Sequence, residues 1–223
     1  LHTAYRRQRQ MCIRDSIYTE EELQKFRDGS DPYGYPNTDW NKEVLLPRAW
    51  QQMHSLTASG GSDKVKYFAG FGYVKQDALY GDTRTNKSTS GFNRYNARVN
   101  IDANIVDKYL NLSADMAYRQ EDRNSIAGST SDVFNNMHRN PQTDPGRFPD
   151  GNLGKVSLGV NPIGLATEGG WVKDRKSVLN TRFMLDFNVP GLEGLNLKGI
   201  FSYDKIFNSI KRWTTPVSYT HLR

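Results

Sequence analysis

The sequence predicts an all-β chain forming part of an antiparallel, up-and-down transmembrane β-barrel with long extracellular loops. Three observations predict it. Five segments alternate apolar and polar residues with the period of two that a strand imposes on its faces. None of the 26 positions on their apolar faces is charged, in a chain whose residues are 24% charged. Short and long connections alternate strictly, so the tight turns gather at one end of the sheet and the long loops at the other.

The first clear strand is "VKYFAGFGYVK", where Val65, Tyr67, Ala69, Phe71 and Tyr73 share a face. Its other face is Lys66, Phe68, Gly70, Gly72 and Val74, and the glycines mark a close approach by another element. The second is "GFNRYNARVNIDANI", with Tyr95, Ala97, Val99, Ile101 and Ala103 on one side. Leu110, Leu112, Ala114, Met116 and Tyr118 define the third; Leu179, Thr181, Phe183, Leu185, Phe187 and Val189 the fourth. Leu195, Leu197, Gly199, Phe201 and Tyr203 complete the set. A weaker pattern, "QQMHSLTASGG" at 51–61, predicts one more strand before them. The opposite faces carry Lys66, Arg98, Asp102, Asp115, Arg119, Arg182, Asp186, Lys198 and Asp204.

The tight turns are "GSDK", "NIVDK" and "PGLEG", with Gly, Asp or Pro where turn geometry wants them. The long connections are 76–91 and about sixty residues from 120 to 177. A loop that long counts against a compact soluble domain. It suits an outer-membrane barrel, which has short periplasmic turns and long extracellular loops. Strands of about 10–12 residues match the roughly 9–11 that a tilted membrane strand needs. Tyr67, Tyr73, Tyr95, Tyr118, Phe187 and Tyr203 lie toward strand ends, as an interfacial girdle requires. An arginine at the bilayer midplane costs roughly 2–4 kcal/mol, which accounts for a face without charge. A soluble or surface-attached β-sandwich binding module, such as an adhesin, writes the same alternation and is the alternative. It requires a second sheet over Tyr95, Val99 and Ile101.

Bulk properties exclude other classes. No run of about 18 apolar residues exists to make a transmembrane helix. A mean hydropathy of −0.73 is compatible with a barrel, since only alternate residues need be apolar. The net charge of +6 owes much to the ends: residues 1–16 and Arg223 hold five of the 30 basic residues and one of the 24 acidic, leaving +2 without them. Nucleic acid is therefore not an expected partner. "RRQRQMCIRDS" and "PVSYTHLR" resemble translated sequencing-adapter read-through, so 1–16 and 216–223 are expected to be non-native and 17–215 to be the barrel segment. Cys12, the single cysteine, lies in the first of these, so no disulfide framework or thiolate metal site is expected. No secretory signal peptide opens the chain.

The ordered motifs "YTEEELQKFRDGSDPYGYPNTDW", "SLTASGGSDKVKYFAGFGYVKQDALY", "FNRYNARVNIDANI" and "LNLSADMAYR" resemble the TonB-dependent outer-membrane transporters of the SusC/RagA type. "NNMHRNPQTDPGRFPDGN" resembles that family's Pro-rich loop, "NPIGLATEGGWVKD" its following loop, and "VPGLEGLNLKGIFSYD" a later hairpin. The resemblance implies an internal piece of a longer protein, with about six strands from the early part of a barrel of about 22. It also implies import of oligosaccharide or peptide in the outer membrane of a Gram-negative bacterium, with a SusD-type surface lipoprotein as lid. Energy would come from a TonB complex through parts outside this piece, with no catalytic step and no cofactor. Nothing like a Ser–His–Asp cluster points to an enzyme.

Candidate functional residues follow from the faces. Arg98, Asp102, Asp115, Arg119, Arg182 and Asp186 are expected to face the lumen, either as a ladder holding a plug or as cross-strand pairs that keep the wall satisfied. Tyr67, Phe71, Tyr95, Val99, Ile101, Leu112, Met116, Phe183, Leu185 and Phe201 are expected to face outer-membrane lipid. Two short helices are expected in the loops. Tyr18–Arg27 is capped by Thr19 with Glu22 three residues on and ended by Asp28–Gly29; Ser131–Arg139 is stopped before Pro141. Both read as surface helices or as contacts for a lid or ligand. His54 and His138 lack ligand spacing, and Asp28, Asp31 and Asp39 lack the EF-hand pattern, so no metal is expected.

Overall fold

A computed structural model describes residues 18–216 except Pro149 and Glu193. The segments expected to be non-native, 1–16 and 216–223, lie outside these residues apart from Pro216. Helix α1 (Glu20–Asp28) and a short α2 (Trp40–Val44) precede the strands β1 (Gln51–Gly61) and β2 (Val65–Asp77). A two-residue pair, β3 (Gly81–Asp82) with β4 (Lys87–Ser88), sits in the loop before β5 (Gly91–Val106). Then come β6 (Leu110–Ile126), α3 (Thr130–Arg139), α4 (Pro162–Thr167), β7 (Gly170–Asn188) and β8 (Asn196–Thr214). The main sheet has the order β1-β2-β5-β6-β7-β8, every neighbour antiparallel. This is a partial up-and-down β-barrel, unclosed.

Register carries the alternation across the whole sheet. Directly opposed residues share a face, and the pairs link Leu56, Phe71, Ala97, Tyr118 and Leu179 into one row. The next rows are Ala58, Ala69, Val99, Met116, Thr181, Tyr203, then Tyr67, Ile101, Ala114, Phe183, Phe201. All ten apolar positions singled out in the sequence lie on this face. It has no cover: Phe71 is 49% exposed, Met116 49% and Phe201 62%. No second sheet lies over Tyr95, Val99 and Ile101 among the described residues, and they are 37%, 41% and 41% exposed. The sandwich requirement is not met.

The buried core lies at the long-loop end. Trp40, Val44, Tyr80, Ile126, Val133, Met137, Leu153, Val156, Ile163 and Ala166 pack into a cap built by α2, α3, α4 and the loops around them. Asn161, fully buried, is its polar centre. Its Oδ1 accepts from the Ile163 backbone N–H as the N-cap of α4, and its Nδ2 donates to the carbonyls of Gly146 (2.7 Å) and Gly154 (2.9 Å). Pro162 at the first helical position fits because that N–H would be unpaired anyway. The Trp40 indole donates to Pro141 O at 3.1 Å and Thr38 Oγ1 to Asp144 O at 2.6 Å, tying the segment before β1 to the loop after α3.

Four expectations change in detail. Strands were expected at 10–12 residues; β2, β5, β6, β7 and β8 run 13, 16, 17, 19 and 19, because charged pairs such as Arg175–Asp122 continue the ladder where the apolar signal ends. The long loop accordingly shrinks to 127–169. "NIVDK" is not all turn, since β5 continues to Val106 through an irregularity after Asn104, and the turn is closed with Lys108 at φ 71°. Helix α3 is not a simple surface helix, because Val133 and Met137, one turn apart, are buried in the cap. The expected close approach at the β2 glycines is made within the sheet: a Cβ on Gly72 would stand 2.6 Å from the Asn96 amide, so Asn96 lies over the space that glycine leaves.

Helix α1 matches its sequence signals. Thr19 Oγ1 accepts from the Glu22 N–H (3.3 Å), Glu22 Oε2 accepts from the Thr19 N–H (2.7 Å), and Gly29 closes the helix in the left-handed region at φ 65°. The Thr19 N–H holds the Glu22 carboxyl below its ordinary 4.5. A depressed folded value means that its contribution is complete above 4.5 and is lost as pH falls through the folded value. Hydrogen-exchange protection factors over 20–28 should therefore be constant from neutral pH down to about 4.5 and fall below it, and Glu22→Gln should abolish that step. Asn161→Ala strands two buried carbonyls at roughly 1–3 kcal/mol each. It should release protease-sensitive sites in 127–169 while leaving exchange in 95–103 of β5 and 112–118 of β6, away from the cap, unchanged.

Candidate functional site

The face opposite the apolar one carries the charge. Three of the six sequence-predicted residues join a single network there. Arg98 Nε donates to Asn100 Oδ1 at 2.9 Å, Asn100 Nδ2 donates to Asp115, and Asp115 Oδ2 accepts from Arg182 Nε (2.9 Å) and Nη2 (2.5 Å). Three adjacent strands position it. Asn100 and Arg182 are the direct cross-strand partners of Asp115, and Arg98 stands two residues along β5 on the same face. The pattern on one carboxylate, two donors of Arg182 and one of Asn100, leaves Arg98 with a neutral partner. Beside it Asn180 Nδ2 donates to Asp204 Oδ1 at 2.7 Å. Arg98, Asp115, Asn180, Arg182, Ser202 and Asp204 line one shallow open groove.

The other three predicted residues do not join this network. Arg119 pairs with Glu121 at 3.5 Å, nearer the long-loop end. Asp186 pairs with Lys198 at 3.4 Å and accepts from Asn196, close to the β7–β8 turn. Asp102 stands opposite Lys66 and makes none of these ion pairs. Sequence reasoning missed Asn100 and Asn180, because a neutral amide in an alternating strand carries no signal until register places it between charges. It also missed that the face turns apolar toward β8, where Met184, Ile200, Val178, Ile206 and Ile210 replace charge. Ile200, Ile206 and Ile210 are 62%, 64% and 61% exposed. Applying the period of two to both faces of "KGIFSYDKIFNSIK" reveals them.

At the long-loop end the segment before β1 presents aromatic rings. Tyr18, Phe26 and Tyr35 meet edge to face at 5.0 and 5.2 Å, with Lys25 Nζ 5.2 Å from the Tyr35 ring centre, while Tyr33 stacks on Phe148 at 6.2 Å. Helix α1 buries none of its residues, so its contribution is a surface. The carboxylates considered for calcium serve local structure instead. Asp28 accepts from the Ser30 N–H, Asp31 from Gly34, and Asp39 caps α2 through Asn41 and Lys42. His54 stacks on Tyr73 at 6.2 Å, and His138 lies in the last turn of α3.

No family model matches the chain, and no curated protein matches it significantly. Solved structures do. The chain is similar to a structure of the RagAB peptide importer in its open-open state, with a TM-score of 0.62 and 17% identity over 93% of this chain and 24% of that one. A second structure of the RagAB peptide transporter gives 0.56 and 16%, over 82% of this chain and 22% of the other. The likeness is one of fold. This chain spans about a quarter of the length of those it resembles.

The Asp115 network is half exposed, so its worth is limited: Arg182 is 57% and Asp115 27% exposed, and such pairs contribute about 0–1 kcal/mol. A double-mutant cycle with Asp115→Ala and Arg182→Ala in the full-length protein should give a coupling of about 0.5–1 kcal/mol that shrinks with added salt. A coupling indistinguishable from zero would show that the pair adds nothing measurable to the stability of the wall.

Proposed function

We propose that this chain is a segment of a TonB-dependent outer-membrane transporter of the SusC/RagA type, importing peptides or oligosaccharides with a SusD-type surface lipoprotein. The observation that carries the reading is the uncovered apolar band. From Leu197 to Phe207 it spans about 33 Å along β8 at ~3.3 Å per residue, with Lys205 near its upper edge laid over the Phe207 ring at 4.7 Å. A strand tilted about 40° projects that to roughly 25 Å, the height of a barrel's lipid-facing band. At its upper edge, toward the long loops, stands a row of His54, Tyr73, Tyr95, Gln120, Ser177 and Phe207, with Tyr73 and Tyr95 rings 5.1 Å apart. This is where an interfacial aromatic girdle belongs. Tyr67, Phe71, Tyr95, Val99, Ile101, Leu112, Met116, Phe183, Leu185 and Phe201 then face lipid.

The opposite face is the lumen wall. Arg98, Asp115 and Arg182 form a hydrogen-bonded anchor that holds its charges in water or against a plug. The neighbouring isoleucines of β8 offer that plug an apolar seat. Asp102, Arg119 and Asp186 belong to the same wall but to separate pairs. The edges of β1 and β8 have free backbone donors and acceptors, which further strands of an intact barrel satisfy. The cap and the aromatic ring cluster around α1 face outward at the extracellular end, where a lid lipoprotein and its cargo arrive. Energy enters through a TonB complex acting on other parts of the intact protein. The neighbours' import of peptides gives that cargo class the greater weight. The work is displacement and passage, with no bond made or broken.

The face assignment is directly testable. Met116→Arg lies near the middle of the band and should cost about 2–4 kcal/mol of barrel stability in lipid. Ser113→Arg, on the opposite face beside Asp102, should cost less than 1 kcal/mol. Urea titration of full-length protein folded into phospholipid vesicles measures both, and equal costs on the two faces would reject the assignment.

A further inference from the structure

We propose that the outer surface just above the apolar band binds the phosphorylated headgroup of an outer-leaflet glycolipid. The proposal rests on the membrane reading of that band. On the same face, past the His54–Tyr73–Tyr95–Phe207 row, the sheet continues as Lys75, Asn93, Asp122, Arg175, Ser209 and then Asp77, Gly91, Asn124, Lys173, Lys211. The change from apolar to polar begins with Lys205, Gln120 and Ser177 and is complete beyond Phe207. Lys173 and Lys211 are direct cross-strand partners, and like charges in that position destabilise a sheet unless an anion sits between them. Neither has a carboxylate. Asp122 is taken by Arg175 at 2.6 Å, and Asp77 is three strands away from Lys173, roughly 14 Å at ~4.8 Å per strand.

The surroundings complete an anion site. Asn93, Asn124 and Ser209 line one groove with four cations, Arg123, Lys173, Arg175 and Lys211, against two carboxylates, Asp122 and Asp174, so the groove is net positive and offers amide, hydroxyl and cationic donors to phosphate oxygens. Beyond the lysines the indoles of Trp171 and Trp213 stand opposite each other, with Lys173 Nζ 4.6 Å from the Trp171 ring centre. Such rings suit a zone that is apolar on one side and wet on the other. Depth selects the occupant. Lys211 is four residues past Phe207, about 13 Å along the strand and roughly 10 Å above the band once tilted. That is the level of headgroups. The groove lies on the same face as the apolar band and two residues beyond Phe207 at its nearer end, Ser209, so a lipid with its acyl chains on the band presents its phosphate at this level.

The test uses full-length protein in detergent and bis-phosphorylated lipid A as probe, with native mass spectrometry as readout. Wild type should retain the lipid, and Lys173→Ser/Lys211→Ser should lower its affinity roughly tenfold. Lys198→Ser, at the opposite end of the sheet, should bind as wild type. Dephosphorylated lipid A should bind wild type no better than bis-phosphorylated lipid A binds the double variant. Equal binding of the two lipids, unchanged binding by the double variant, or displacement of lipid A by an equimolar amount of inorganic phosphate would overturn the site. Heat-modifiable gel mobility separates the two levels of the reading. A wild-type chain without it withdraws the membrane assignment and the site together, while a folded barrel indifferent to both lysines overturns the site alone.

Discussion

Cross-strand register is the constraint on which the rest of this structure depends. Side chains alternate with period two, and a shift of one residue between any two strands would exchange their faces. Across five strand junctions that shift does not occur within the apolar band; the single irregularity lies beyond it, between Asn104 and Val106 beside the turn. The consequence is a sheet with two environments. One face offers phenylalanine, tyrosine, methionine and leucine to whatever lies outside it. The other gathers carboxylates, guanidinium groups and amides close enough to bond. No helix among the described residues is long and apolar enough to cross a membrane.

Stability is divided between the two parts of the molecule in different ways. The sheet has few buried side chains and rests on its backbone ladders, with apolar burial to be supplied from outside. The cap is an ordinary hydrophobic core in miniature, with Val44 and Val133 fully buried and Asn161 satisfying two carbonyls of the irregular loop. Ile126, the last residue of β6, enters that core, and Tyr80 bonds to Thr130 at 3.2 Å. Thr89 Oγ1 donates to Ala166 O at 2.7 Å. The cap is thus fastened to the rims of β5 and β6 and moves with the wall.

The legible part of this architecture was whatever repeats or punctuates. Period-two patterning located every long strand, and the Thr19–Glu22 pair and Gly29 located α1. Turn residues placed the tight connections to within three residues. What stayed hidden depends on distance in sequence. Asn100 is unremarkable until Asp115 is known to face it, and Asp102 is as good a candidate as Asp115 until the partners are seen. Strand ends were underestimated because β6 and β7 continue through Arg119–Glu121 and Asp122–Arg175, where both faces are polar and alternation vanishes. The cap core was missed because Trp40, Tyr80, Val133, Leu153 and Ile163 come from five separate segments, each too short to show a period.

The length by which the strands outrun the apolar band has a physical meaning of its own. In the proposed membrane setting, a wall ending at the aromatic row would leave a 43-residue loop (127–169) to emerge at the level of headgroups. Continuing β6 to Ile126 and starting β7 at Gly170 lifts that loop clear, and the polar ladder that does so must be held without lipid or core. Its outer side is charged and hydrogen-bonded, and its upper edge is clamped by the cap through Ile126 and by the Ala127 N–H bond to Gly170 O. The cap therefore stabilises the extension on which it stands. Any movement of the cap must therefore strain the top of β6 and β7, to which Ile126 and the Ala127–Gly170 bond tie it.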